Sequence, residues 1–79
     1  MTRYYFDLHN GDGQTRDEQG MDLPSPQSTS KEVARILADV ARDELATADR
    51  VIVAVKVRDQ EGRIVSVATL AFTNEWMDN

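Results

Sequence analysis

Cysteine is missing from this 79-residue chain. That excludes disulfides, zinc thiolates and thiol nucleophiles, and it fits a cytoplasmic location. Histidine occurs once, at His9, and no second imidazole or thiol stands near it to complete a metal or catalytic pair. No apolar run approaches the roughly 20 residues of a membrane-spanning helix, so no membrane partner is expected. Met1-Thr2-Arg3-Tyr4 leads straight into a strand pattern, without the apolar core of a signal peptide. Basic residues are in the minority, 9 against 14 acidic ones, and the net charge of −5 is spread along the chain rather than gathered in blocks. Such a balance opposes non-specific nucleic-acid binding, which rests on neutralising phosphates. There are two prolines, both in one short segment, and no internal repeat. A chain this short buries only about 60% of its unfolded surface, so its core is small.

What remains is patterned. From Arg3 to His9 the chain alternates, with Tyr4, Phe6 and Leu8 to one side and Arg3, Tyr5, Asp7 and His9 to the other. That predicts a half-buried strand. Asn10-Gly11-Asp12-Gly13 ends it with overlapping turn signals. The return segment, Gln14 to Leu23, is poor in apolar residues and contains a second turn at Asp17-Glu18-Gln19-Gly20. It reads as a short, irregular edge strand whose charges discourage edge-to-edge aggregation. Pro24 and Pro26 mark a connector over 25–28. Thr29 and Glu32 stand in capping-box spacing, and Val33, Ile36, Leu37, Val40, Ala41 and Leu45 form one helical stripe, predicting a helix over 29–47.

The segment from Val51 to Phe72 is apolar on both faces. Asp59-Gln60-Glu61-Gly62 carries Asp at the first position of a type I turn and Gly at the fourth. With Gly62 left-handed, the loop has three residues and Asp59 pairs with Arg63. That register sets Val51, Val53, Val55 and Val57 on one face with Val65, Val67, Thr69 and Ala71. The other face then holds Ile52, Ala54, Ile64, Ala68, Leu70 and Phe72, with Lys56 and Arg58 toward the turn. The expected fold is α+β: an antiparallel four-stranded sheet with one helix on one face, in the order β-β-α-β-β. Its parts are an N-terminal hairpin over 1–24, the linker, the helix, a C-terminal hairpin over 50–72 and a tail over 73–79. One helix covers one face of such a sheet, so Ile52, Ala54, Leu70 and Phe72 become a candidate interface for a second copy of the chain. The tail with Trp76 is the rival cover.

Other residues carry less. The acids Asp7, Asp12, Asp17, Glu18 and Asp22 lack the fixed oxygen spacing of a calcium loop and read as turn-forming residues. Gly11, Gly13 and Gly20 do not sit between a strand and an immediately following helix, so they make no phosphate loop. Ser25, Ser28, Ser30 and Ser66 lie in no nucleophile elbow. Arg3, Lys56, Arg58 and Arg63 with Tyr5 could form a basic platform of the kind that binds single strands, or could pair across strands with Asp7 and Asp59. Glu44, near the helix end, is expected to reach solvent. No catalytic, cofactor or metal site is expected.

The run Arg3-Tyr4-Tyr5-Phe6-Asp7, the Asn10–Gly13 turn, Asp17-Glu18-Gln19-Gly20-Met21-Asp22-Leu23 and Val57-Arg58-Asp59-Gln60-Glu61-Gly62-Arg63 resemble a family of small bacterial proteins known only as a domain of unknown function. Its members open R-Y-F-F, continue D-G and D-E-x-G-x-E-L, and close V-R-D-E-x-G-R. The proline-containing linker departs from that pattern. The resemblance implies no activity or cofactor. The layout of strand, acidic turn, strand and helix is also similar to that of HicB-type antitoxins, without their proline-glycine-cysteine signature. Two expectations follow: a non-enzymatic interaction module that homodimerises, or a small regulatory protein acting on a nuclease partner or a nucleic acid.

Overall fold

Alternation at the start of the chain produces the strand it predicts. In the computed structural model, which describes residues 1–11 and 13–78, β1 spans Thr2–Asn10. Asp12, singled out as a turn acid, lies outside the described residues, as does Asn79. On either side of the first turn, Asn10 pairs with Gly13, and Gly11 has φ +62°.

The return segment departs from the single edge strand expected of it. It forms two strands of three residues each, β2 (Gly13–Thr15) and β3 (Met21–Leu23), which pair antiparallel with opposite ends of β1. The last hairpin supplies β4 (Arg50–Arg58) and β5 (Ile64–Thr73). Among the described residues the sheet therefore has five strands rather than four, in the order β2–β1–β4–β5 with β3 also on β1. The class is α+β, with every pairing antiparallel.

The connector is more regular than its prolines suggest. Ser25 is extended at φ −158°, as the residue before a proline prefers, and Pro26–Ser28 makes one 3-10 turn. Its capping box is Ser25 with Ser28, not Thr29 with Glu32. Thr29 instead donates to the Pro26 carbonyl at 2.6 Å, and Glu32 pairs with Arg35. Helix α1 then runs Thr29–Glu44, with turn residues over 45–47 in place of a further helical turn. Its outer arc is tied by Arg35 to Asp39 and Arg42 to Asp39, at 3.1 and 3.3 Å. Pairs of this kind contribute a few tenths of a kcal/mol each.

The helix covers β1 and β4. Val53, Val55 and Val57 are fully buried, and Val55 and Val57 cluster with Tyr4 and Val33. Phe6, Leu8, Leu23, Ile36, Leu37 and Ala68 pack around that cluster. Burying a valine side chain contributes about 1.5–3 kcal/mol, so this row is the main stabilising element of a small core. Glu44 does not simply reach solvent: it accepts from Asn10 Nδ2 at 3.1 Å and fastens the helix end to the end of β1.

At the last hairpin the expectation is half met. Gly62 has φ +85°, Asp59 N–H donates to the Arg63 carbonyl at 2.9 Å, and Arg58 stands opposite Ile64. One residue further the ladder shifts. Val57 pairs with Ser66, and Val65 is left without a partner, which is a β-bulge. A slip of one residue moves every following side chain to the other face. Ser66, Ala68, Leu70 and Phe72 therefore join the valines on the helix side, while Val67, Thr69 and Ala71 face away. The exchange half-buries Leu70 and Phe72, which are larger than the Thr69 and Ala71 of the uninterrupted register.

A candidate interaction surface

Paired residues in neighbouring strands share a face. The sheet face away from the helix therefore reads in rows across β1, β4 and β5. Tyr5, Arg58 and Ile64 make the first row; Asp7, Lys56 and Val67 the second; His9, Ala54 and Thr69 the third. Ile52 and Ala71 complete the far end. One end is polar, with its Asp7 and Arg58 side chains paired, and the other is apolar and open.

The polar end is built around Arg58 and Asp7, whose side chains are nearly buried. Arg58 Nε donates to Asp7 Oδ2 at 2.6 Å, and its Nη2 reaches Asp7 Oδ1 at 3.1 Å and the Asp17 carbonyl at 2.8 Å. Its guanidinium carbon lies 4.9 Å from the centre of the Tyr5 ring, a stacking distance. Asp17 occupies the gap between β2 and β3 and replaces the missing ladder bonds. Its N–H donates to Asp7 at 2.9 Å, while its carboxylate accepts from the N–H groups of Phe6, Gln19 and Gly20 at 3.0 to 3.1 Å. Gly20 completes the loop at φ +73°, where a Cβ would lie 2.8 to 2.9 Å from Arg3, Tyr4 and Tyr5 atoms. Only glycine fits there.

These contacts set the charges. The Arg58 guanidinium holds the Asp7 carboxyl below the usual carboxylate range, against the effect of burial. Burial pushes Asp17 up, but the three N–H groups outweigh it and the net displacement is downward. The Asp59 carboxyl is also held low, first by the Arg63 N–H and then by its guanidinium. A shallow concavity of about 440 Å³ above this cluster is lined by Tyr5, Arg16, Asp17, Arg58 and the 59–62 turn. The Asp17 carboxylate and the Arg58 guanidinium in it are already bonded to the protein.

Three of the four basic residues of the platform are neutralised in the same way, Lys56 being the exception among the described residues. Arg3 pairs with Asp22 at 3.1 Å, Arg58 with Asp7, and Arg63 with Asp59 at 3.0 Å and with Glu61. His9 stands in the third row, its Nε2 buried and without a hydrogen-bond partner among the described residues. Among the described residues, no group of three or more His, Asp or Glu side chains could hold a metal ion. No helix among them is long and apolar enough to cross a membrane.

The apolar end redraws the candidate interface. Ile52 and Ala54 lie on the open face, as expected, with Ile52 59% exposed. Leu70 and Phe72 do not join them, because the bulge turns both to the helix side. Their places beside β4 are taken by Val67, 58% exposed, with Thr69 and Ala71. The described part of the tail leaves this surface open: Trp76 is 81% exposed, and Asn74 N–H bonds to the Asp49 carbonyl at 2.7 Å. The sequence carries a signal for only part of the Asp7–Arg58–Asp17 cluster. Pairing of Arg58 with Asp7 follows from cross-strand chemistry, but the bridging by Asp17 left no local signal.

A family model described as Domain of unknown function (DUF6894) matches residues 3–71. Neither the curated proteins nor the solved structures yield a match.

Proposed function

This chain belongs to the DUF6894 family, a domain of unknown function, and we propose that it acts as a non-enzymatic interaction module that associates with itself as a dimer. The observation that carries this reading is surface area. The chain exposes 5723 Å², whereas a folded monomer of 8.9 kDa exposes about 4,800 Å². Part of that excess lies in the exposed termini, at Met1, Trp76 and Met77, and part in Ile52, Ile64, Val65 and Val67, large apolar side chains left uncovered on the sheet, which monomers rarely expose together. The chain is elongated, with a radius of gyration of 14.5 Å against about 12 Å for a compact chain of this length, so its long last hairpin has little of the chain packed around it.

Charge and chemistry support the same reading. Asp7, Asp17 and Arg58 at the polar end are engaged with one another, which leaves little in that cluster to activate a nucleophile or bind a substrate. Of the four residues of the basic platform, Lys56 alone has no carboxylate partner within salt-bridge distance among the described residues. A nucleic-acid role therefore has little to neutralise phosphates with.

Sedimentation equilibrium tests the proposal. At tens of micromolar the expected mass is twice 8.9 kDa. A single species at 8.9 kDa over the whole accessible concentration range would overturn it.

A further inference from the structure

The two edges of the sheet are built in opposite ways. At one edge, β2 and β3 are three residues long, interrupted by the 16–20 loop, and bordered by Arg16, Asp17, Glu18 and Asp22. Short, broken and charged, this edge resists pairing with another strand. The other edge is β5, ten residues with the sequence Ile-Val-Ser-Val-Ala-Thr-Leu-Ala-Phe-Thr. It contains no charge, no proline and no glycine, and among the described residues no strand pairs with its far side. Its span of about 33 Å offers a continuous row of unpaired N–H and C=O groups.

Both flanks of β5 are also apolar and incompletely covered. On the helix side, Leu70 and Phe72 are only half-buried, because the helix sits over β1 and β4. On the open side Val67 is exposed. The bulge at Val65 and the charged turn at Asp59–Arg63 end the apolar stretch, so the regular part of the edge is 66–73.

Resting on the self-association reading above, we propose that the second copy joins along this edge. The two β5 strands pair antiparallel about a two-fold axis perpendicular to the sheet. A strand that pairs with its own copy about a two-fold axis must run antiparallel to it, and such an axis gives the closed, self-complementary contact typical of homodimers. One continuous sheet results, with both helices on the same side and Leu70 and Phe72 of each copy flanking the axis. The register carries the tail of each chain past its own β5 toward the hairpin end of the partner strand. Ile64 and Val65 are exposed there, and Trp76 is exposed in the tail that arrives.

Amide hydrogen exchange by NMR, combined with two exposed-site variants, tests the geometry. Between a dilute and a near-millimolar sample, the β5 amides that point away from β4 should slow by about tenfold or more, while exchange elsewhere in the sheet changes less. Thr69→Lys places like charges near the axis and should abolish both the slowing and the dimer mass. Ile52→Lys, on the open face of β4, should leave both intact, and circular dichroism melts verify that both variants fold. A dimer whose outward β5 amides exchange as fast as in the dilute sample, and which Ile52→Lys dissociates, would overturn edge pairing in favour of contact through the open faces. Self-association would survive that result. A monomer at every concentration would overturn both.

Discussion

Arg58→Met isolates the interaction that holds the 16–20 loop against the sheet. The substitution keeps most of the side-chain length but removes the guanidinium. It leaves the Asp7 carboxylate, 7% exposed, with only the Asp17 N–H as a donor. It also leaves the Asp17 carbonyl without Arg58 and removes the stacking on Tyr5. Breaking a buried ion pair by deleting one partner costs about 3–5 kcal/mol, and the position on the sheet face that the helix leaves open, where water can enter, favours the lower figure. A 79-residue domain has about 4–12 kcal/mol of stability in total. A loss of about 3 kcal/mol lowers the melting temperature by about 12–24 °C. Circular dichroism melts at low micromolar concentration give the reading. Arg58→Lys, which keeps the charge but not the fork, should fall between the two. The double variant Asp7→Leu/Arg58→Met should recover much of the loss, since a buried pair is replaceable by apolar groups of similar volume. A melting temperature for Arg58→Met within about 2 °C of the parent would refute the reasoning, because that shift amounts to less than about 0.5 kcal/mol.

Other substitutions separate the turns from the core. Gly20→Ala should destabilise far more than Gly62→Ala: both have positive φ, but a Cβ meets three atoms at Gly20 and nothing within 4 Å at Gly62. Equal melts would show that the close approach at Gly20 is relieved by small shifts. Gly62→Val should lose about 1–2 kcal/mol and Gly62→Asn much less, and equal losses would argue against backbone strain at that position. Val53→Asp or Val55→Asp, at fully buried positions, should leave no folded protein by circular dichroism, since an unpaired buried charge costs several kcal/mol. Acid should unfold the chain through Asp7 and Asp17. Both carboxyls titrate lower folded than unfolded, so the stability they contribute is complete above the unfolded value of about 3.9 and is lost as pH falls through the folded values. Asp7→Asn should flatten the acid limb of a stability profile, and an unchanged limb would contradict the assignment.

Much of the fold was legible because local chemistry and tertiary packing agree. Tyr4, Phe6 and Leu8 alternate with polar residues, and β1 faces as that pattern requires. Asp59 and Gly62 specify their turn through side-chain and backbone demands that need no distant partner. The register of β5 was not legible, for a definite reason. Ile64 to Phe72 is apolar at both parities, so either register buries an apolar row, and a bulge leaves no composition signal of its own. The size of Leu70 and Phe72 against Thr69 and Ala71 was the available clue, since burying the larger pair is worth more. Asp17 was equally hidden. Its partners Asp7 and Phe6 lie ten and eleven residues away, and an acid before a glycine reads as turn chemistry alone. Ser25 and Ser28 carry the capping box of the 3-10 turn, where Thr29 and Glu32 offered the more familiar spacing.

Self-association is the central claim, and thermal unfolding as a function of chain concentration tests it most directly. A chain that folds and pairs gains stability by mass action, so its melting temperature depends on concentration. Over a hundredfold rise above the dissociation constant, pairing adds about 1.4 kcal/mol per chain, which raises the melting temperature by about 6–11 °C. A melting temperature that stays constant from micromolar to millimolar chain would contradict the account.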